Sequence, residues 1–364
     1  MIIGYFYPMV SRLKNGIAAS LLLQIPTVAW LARHPDWVET WYSQGLYPYV
    51  AAFFRSIYGW IPFSVGDLCY LSLGLVGLAY LIRKRHWIWH HPWAFLRDVL
   101  FVLALVHFSF YLLWGTNYFR QPLSKSLGME EAYTTEELIR LTTHLATRTN
   151  ALQKVLEGDS LRPVELPYTR KEIRNRTIEA YTRLSREFPG FQYEKASLKP
   201  SLFSTALSYM GYGGYLNPFT GEAQVNNRLP LFRYPVVCGH EIGHQLGYSA
   251  ENETNFIGYL VMLRNRDPYF NYAAYAYGLS YCLSELNRRD RDAFKRLRDG
   301  LHPGVRANFK ELQEFWKSFQ NPLEPVFKSL FNSYLKANRQ KDGIRSYNRV
   351  VSLMVSYYRE HPDL

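Results

Sequence analysis

Cysteine is scarce in this chain: Cys69, Cys238 and Cys282 are the 3 among 364 residues, an odd count at irregular spacing. That argues against a disulfide framework and against a cysteine-type zinc site. Cys69 lies inside an apolar run and reads as a small core residue; whether Cys238 and Cys282 pair is left open. Internal repeats and low-complexity tracts are missing, which excludes solenoid and propeller architectures. The formal net charge is +12, yet lysine and arginine are scattered and no nucleic-acid motif accompanies them. Nucleic acid is therefore not expected as a partner. No small-x-small cleavage site follows the first apolar segment, so that segment reads as an uncleaved anchor rather than a signal peptide.

Long apolar runs, by contrast, crowd the first 120 residues, and aromatics are abundant, with 29 Tyr, 22 Phe and 9 Trp. Three runs predict transmembrane helices at about residues 17–33, 64–82 and 98–115. The first, with Pro26 and Trp30, is short for a span, and flanking aromatics must help it reach across. Between the first two lies an aromatic-rich stretch, His34 to Pro62, that reads as interfacial. Arg12 and Lys14 precede the first run, and Arg83, Lys84, Arg85 and Arg97 separate the second from the third. The positive-inside rule then puts the N-terminus in the cytoplasm and everything after about Asn117 outside it. His107, within the third run, is expected to be a neutral histidine bonded to a neighbouring helix; His90 and His91 sit among tryptophans in an interfacial loop.

Residues 1–116 thus form a membrane domain, and residues 117–364 an extracytoplasmic one. Thr134-Thr135-Glu136-Glu137 has the form of a capping box opening a helix to about Leu156. Helical spacing continues over Thr169 to Glu187 until Pro189-Gly190. From Lys199 to Asn227 glycines interleave with tyrosines, and Glu222 to Asn226 alternates, which predicts short strands in a small sheet. Helical patterns resume after residue 250 and run almost to the end. The fold class is mainly α with a small β-sheet.

The chemistry concentrates in His240-Glu241-Ile242-Gly243-His244, followed by Glu251 and Asn255. Histidines four apart on a helix face the same way and can hold a zinc ion through neutral imidazoles. A hydrolytic zinc needs three protein ligands and an open position. Glu251 and Glu253 are the choices for the third. On a helix starting near Ala250, Glu251 and Asn255 share a face, whereas Glu253 is rotated about 200° from Glu251. Glu251 is therefore the expected ligand, with Glu253 the alternative, and Asn255 is placed to brace a ligand histidine. Gly247 supplies the turn between the helices. Zinc, about one ion per chain, lowers the pKa of its water, and Glu241 is the expected general base. Tyr212, Tyr215, Tyr248 and Tyr272 flank the segment in sequence and are candidate donors to the developing oxyanion, with simple packing the alternative for each.

At these residues the chain resembles gluzincin-type zinc metallopeptidases, whose signature is HExxH plus a Glu on the following helix, often with Asp or Asn four positions later. His240, Glu241, His244, Glu251 and Asn255 match that pattern one by one; the short gap before Glu251 is the departure. More closely, it is similar to an uncharacterised bacterial family with three N-terminal membrane helices and an exported HExxH domain. The shared stretches are Trp114 to Arg120, Thr220 to Asn226, the metal segment, Tyr334 to Asn338 and Gly343 to Tyr347. The resemblance implies a zincin-like α+β peptidase domain acting on a peptide or protein substrate at the bilayer. It also implies that Glu222, Ala223, Gln224, Val225 and Asn226 form the strand that docks extended peptide by β-addition. A catalytically silent zinc-binding sensor or assembly protein is the alternative. A transport component is a weaker one, because three spans with few polar residues make a poor pore.

Overall fold

Apolar periodicity dictates a helical chain, and the computed structural model, which describes residues 2–338 and 349–363, is mainly helical with one three-stranded sheet. Two helices, Val65–His90 and Pro92–Leu113, are each long and apolar enough to cross a membrane. Few of their residues are buried, as expected of surfaces meant for lipid rather than water. The first expected span differs. The chain from Val10 to Leu31 passes the same test only as a pair with Pro35–Tyr58, to which it is bent by 93°. Ser20 separates Ile2–Ala19 from Leu21–Leu31, and Pro35 starts the next helix right after the turn at Ala32–His34. Among the described residues there are thus two such helices, or three candidate spans if the bent pair counts as one, where three transmembrane helices were expected. His107 does bond a neighbouring helix, with its Nδ1 2.8 Å from Gln24 Oε1.

Only His91 separates the helices Val65–His90 and Pro92–Leu113. Ser64 caps the first, accepting from Asp67 N, and Trp114 follows the second. Near the start of the second helix Asp98 pairs with Lys14 at 3.1 Å.

The remaining helices enclose one large apolar core. Thr135–Glu157 opens with the expected capping box, in which Thr134 and Glu137 satisfy each other's backbone N–H groups. With Arg170–Leu184, Pro268–Arg289 and Val350–Glu360 it surrounds two central helices, Tyr234–Gln245 and Glu251–Leu263. Cys238 and Cys282 are buried free thiols in this core, and Cys69 is exposed on its apolar helix. The segment Gly343 to Tyr347 lies outside the described residues.

The sheet comprises β1 (Leu198–Pro200), β2 (Gly214–Asn217) and β3 (Glu222–Val225), in the order β1-β3-β2. β3 pairs in parallel with β1, Leu198 opposite Ala223, and antiparallel with β2, Gly214 opposite Val225. It lies against the helix Tyr234–Gln245, which it supports from one side.

Candidate metal centre

Pro235 starts the helix Tyr234–Gln245 where no amide donor is needed, and His240 and His244 follow on one face. After Leu246 the chain turns at Gly247, whose φ of 85° favours glycine. The next helix, Glu251–Leu263, then folds back across the first. They touch backbone to backbone: a Cβ on Gly258 would lie 2.6 Å from the Val236 carbonyl oxygen and 2.9 Å from His240 N. That approach carries Glu251 and Asn255 over the two histidines.

Each imidazole is held through Nδ1. His240 Nδ1 stands 2.9 Å from Asn255 Oδ1, which also accepts from Tyr277 O–H at 2.6 Å. His244 Nδ1 stands 2.8 Å from the Tyr248 carbonyl oxygen. Acceptors at both Nδ1 atoms put the protons there and leave Nε2 as a lone-pair donor on each ring. These Nε2 atoms converge on one carboxylate, with His240 3.4 Å from Glu251 Oε2 and His244 3.8 Å from Glu251 Oε1. All the donor atoms lie within 4.8 Å of one another. Tetrahedral ligands about 2.0–2.1 Å from a zinc ion stand about 3.4 Å apart, so the spacing and the donor types fit such an ion.

Glu241 is buried beside the cluster, and its Oε2 has no hydrogen-bond partner. A Cβ on Gly214 would come within 2.5 Å of the other oxygen, so the carboxyl lies against the start of β2. Burial pushes the Glu241 carboxyl up to about 8, with His240 opposing and Glu251 adding to the rise. Burial likewise pulls His244 down to about 4, which keeps it neutral as a ligand must be. For His240 burial again pulls down, but the Glu251 hydrogen bond and the charges of Glu241 and Glu251 together raise it.

Glu253 lies on the other face, where its Oε1 accepts from Leu123 N at 2.8 Å. Burial pushes it up to about 7, against that hydrogen bond and the charge of Arg120. It is a structural acceptor away from the cluster.

The centre opens on a cleft of about 590 Å³. Tyr212 and Tyr215 line it; Tyr248 and Tyr272 do not. Tyr248 packs under Arg120 at 4.2 Å, and Tyr272 donates to buried Asn308. Sequence reasoning missed Trp114, Tyr118, Tyr277 and Tyr334, which line the same cleft. Their distance along the chain hid them, although the aromatic excess after the third run was a signal.

The expectation that Glu222 to Asn226 docks peptide is corrected. β3 is the central strand, paired on both sides and fully buried, so it has no free edge to offer. The Glu222 carboxylate bonds Lys199 and the N–H groups of Val65 and Gly66. The edge strand along the cleft is β2, from which Gly214, Tyr215 and Leu216 line the wall.

Residues 42–355 match the family described as protein of unknown function (DUF3810). No curated protein and no solved structure matches the chain.

Proposed function

The chain belongs to this family, and we propose that it is a membrane-anchored zinc metallopeptidase of zincin-like fold that hydrolyses peptide bonds. The observation that carries the reading is the convergence of His240 Nε2, His244 Nε2 and the Glu251 carboxylate, with both Nδ1 atoms already engaged. When bound, a zinc ion supplies Lewis acidity that makes a water nucleophilic near neutral pH. With a cation beside it to keep it ionised against its burial, Glu241 would take a proton from the attacking water as the C–O bond forms and return it to the leaving nitrogen as the C–N bond breaks. Its buried, otherwise unpartnered Oε2 suits a group whose partner is substrate water. Tyr334 lines the same cleft and its oxygen accepts from Tyr118 O–H at 3.2 Å, so its own O–H is the donor we assign to the carbonyl oxygen as it gains charge. β2, as an edge strand, offers main-chain groups to an extended peptide.

For topology we propose three passes, the first being the bent one. The N-terminus is then cytoplasmic, and residues 117–364 lie outside, in keeping with Arg83, Lys84, Arg85 and Arg97 at the joined ends of the helices Val65–His90 and Pro92–Leu113.

Glu241→Gln tests the reading. It should keep metal and lose peptide hydrolysis by about a hundredfold or more. Undiminished hydrolysis in that variant overturns the assignment.

A further inference from the structure

The site helix is oriented with respect to the membrane helices. Its C-terminal carbonyls, which no helix can satisfy internally, are taken by residues at the membrane boundary. Trp114, immediately after Pro92–Leu113, donates its indole N–H to the His244 carbonyl oxygen at 3.0 Å. Tyr47 O–H donates to the Gln245 carbonyl oxygen at 2.9 Å. A helix of 22 residues spans about 33 Å, close to the hydrocarbon thickness of about 30 Å, so Trp114 marks the bilayer edge. His244 is in contact with it.

The cleft is continuous with that edge. Tyr70, in the second turn of Val65–His90, and Trp114 form one end of its wall. This end is locked to the sheet: buried Asp67 accepts from Ser201 Oγ at 3.0 Å, from Leu202 N at 2.6 Å and from the Tyr215 phenol. The helix Glu324–Ala337 forms another wall with Phe331 and Tyr334. Tyr334 packs on Phe110, and Asn338, just beyond that helix, accepts from Tyr111 O–H, so this wall is also seated on the membrane helix. Leu323, just before the helix Glu324–Ala337, and Val326 and Leu330 within it are exposed, at 60%, 53% and 64%, as an apolar row. Among the described residues, Arg233 is the one lysine or arginine lining the cleft.

We propose that the substrate is an apolar peptide segment held at the membrane surface, the juxtamembrane stretch of a membrane-anchored chain, and that soluble peptides are poor substrates. The Leu323–Val326–Leu330 row rests on the lipid beside the entrance. The inference rests on the peptidase reading above and adds where the substrate comes from.

The test uses the full chain in lipid nanodiscs and an apolar probe of about eight Leu, Phe and Ala residues, about 25 Å when extended. One copy sits directly above a poly-Leu membrane helix. A second is separated from the same helix by about 20 Gly/Ser residues, and a third is free in solution. Binding is read with Glu241→Gln carrying a photocrosslinker in place of Phe331, and cleavage with the unmodified chain. The expected result is at least tenfold more crosslinking and cleavage of the juxtamembrane copy than of the other two. Equal cleavage of all three copies overturns the proposal and leaves the peptidase reading standing. Preferential crosslinking with no cleavage of any copy by zinc-loaded protein supports the membrane-surface site and overturns the peptidase reading instead. Absence of any preference in crosslinking overturns the proposal.

Discussion

Asn255 Oδ1 stands between His240 Nδ1, at 2.9 Å, and the Tyr277 phenol, at 2.6 Å. Tyr277 is in turn fixed by Arg233, whose guanidinium lies 3.8 Å from the ring centre. This chain of contacts holds the His240 ring with Nε2 facing Glu251, so the ring's orientation depends on residues outside the His240–His244–Glu251 cluster. Removing such a partner commonly weakens metal affinity by about 10–100-fold. Asn255→Ala should fall in that range when zinc affinity is read by chelator competition, and Tyr277→Phe should have a smaller effect because Asn255 stays. Unchanged affinity in Asn255→Ala would show that the contact does not orient the ring.

Glu251 and Glu253 are two positions apart and face different partners, the two histidine rings and Leu123 N. Glu251→Gln removes the charged oxygens facing both Nε2 atoms and should lose most bound zinc. Glu253→Gln keeps an oxygen that can accept from Leu123 N and should bind zinc as the unmodified chain does. Metal content of the two purified variants decides the matter; the reverse pattern would reassign the third ligand.

The capping box at Thr134 makes stability depend on acid. The backbone N–H of Thr134, then burial, which opposes, then Arg359 act on Glu137, and on balance its carboxyl is held below its ordinary 4.5. A carboxyl depressed in the folded state adds stability that is present above its unfolded value and lost as pH falls through the folded one. Glu137→Gln should therefore melt below the unmodified chain near neutral pH, and the gap should close as pH drops below about 4.5. A gap that persists unchanged in acid would assign the loss to something other than the carboxylate. Thr134→Ala, which removes the cap itself, should cost about 1 kcal/mol across the range.

Much of the metal centre was legible because it is local. The four-residue spacing of His240 and His244, the turn at Gly247, and the four-residue spacing of Glu251 and Asn255 are short-range facts that helix geometry converts into placement. The choice of β3 as peptide-docking strand was not legible. Strands of three and four residues carry too little pattern to separate a central strand from an edge, and the parallel pairing with β1 crosses a helix, Ser204–Met210. Nor could the cleft walls be read. Trp114 meets His244 across 130 residues of chain and Tyr118 meets Tyr334 across 216, through contacts set by packing. The first span misled for a physical reason. Its apolar run is short, and the turn before Pro35 bends the chain by 93° into the interfacial segment instead of letting it run straight.

A metal ion held by His240, His244 and Glu251 is measurable by elemental analysis of the purified full chain beside His240→Ala. About one zinc per chain is expected, lost in the variant. Protein without metal, or a His240→Ala variant that retains it in full, would contradict this ligand assignment.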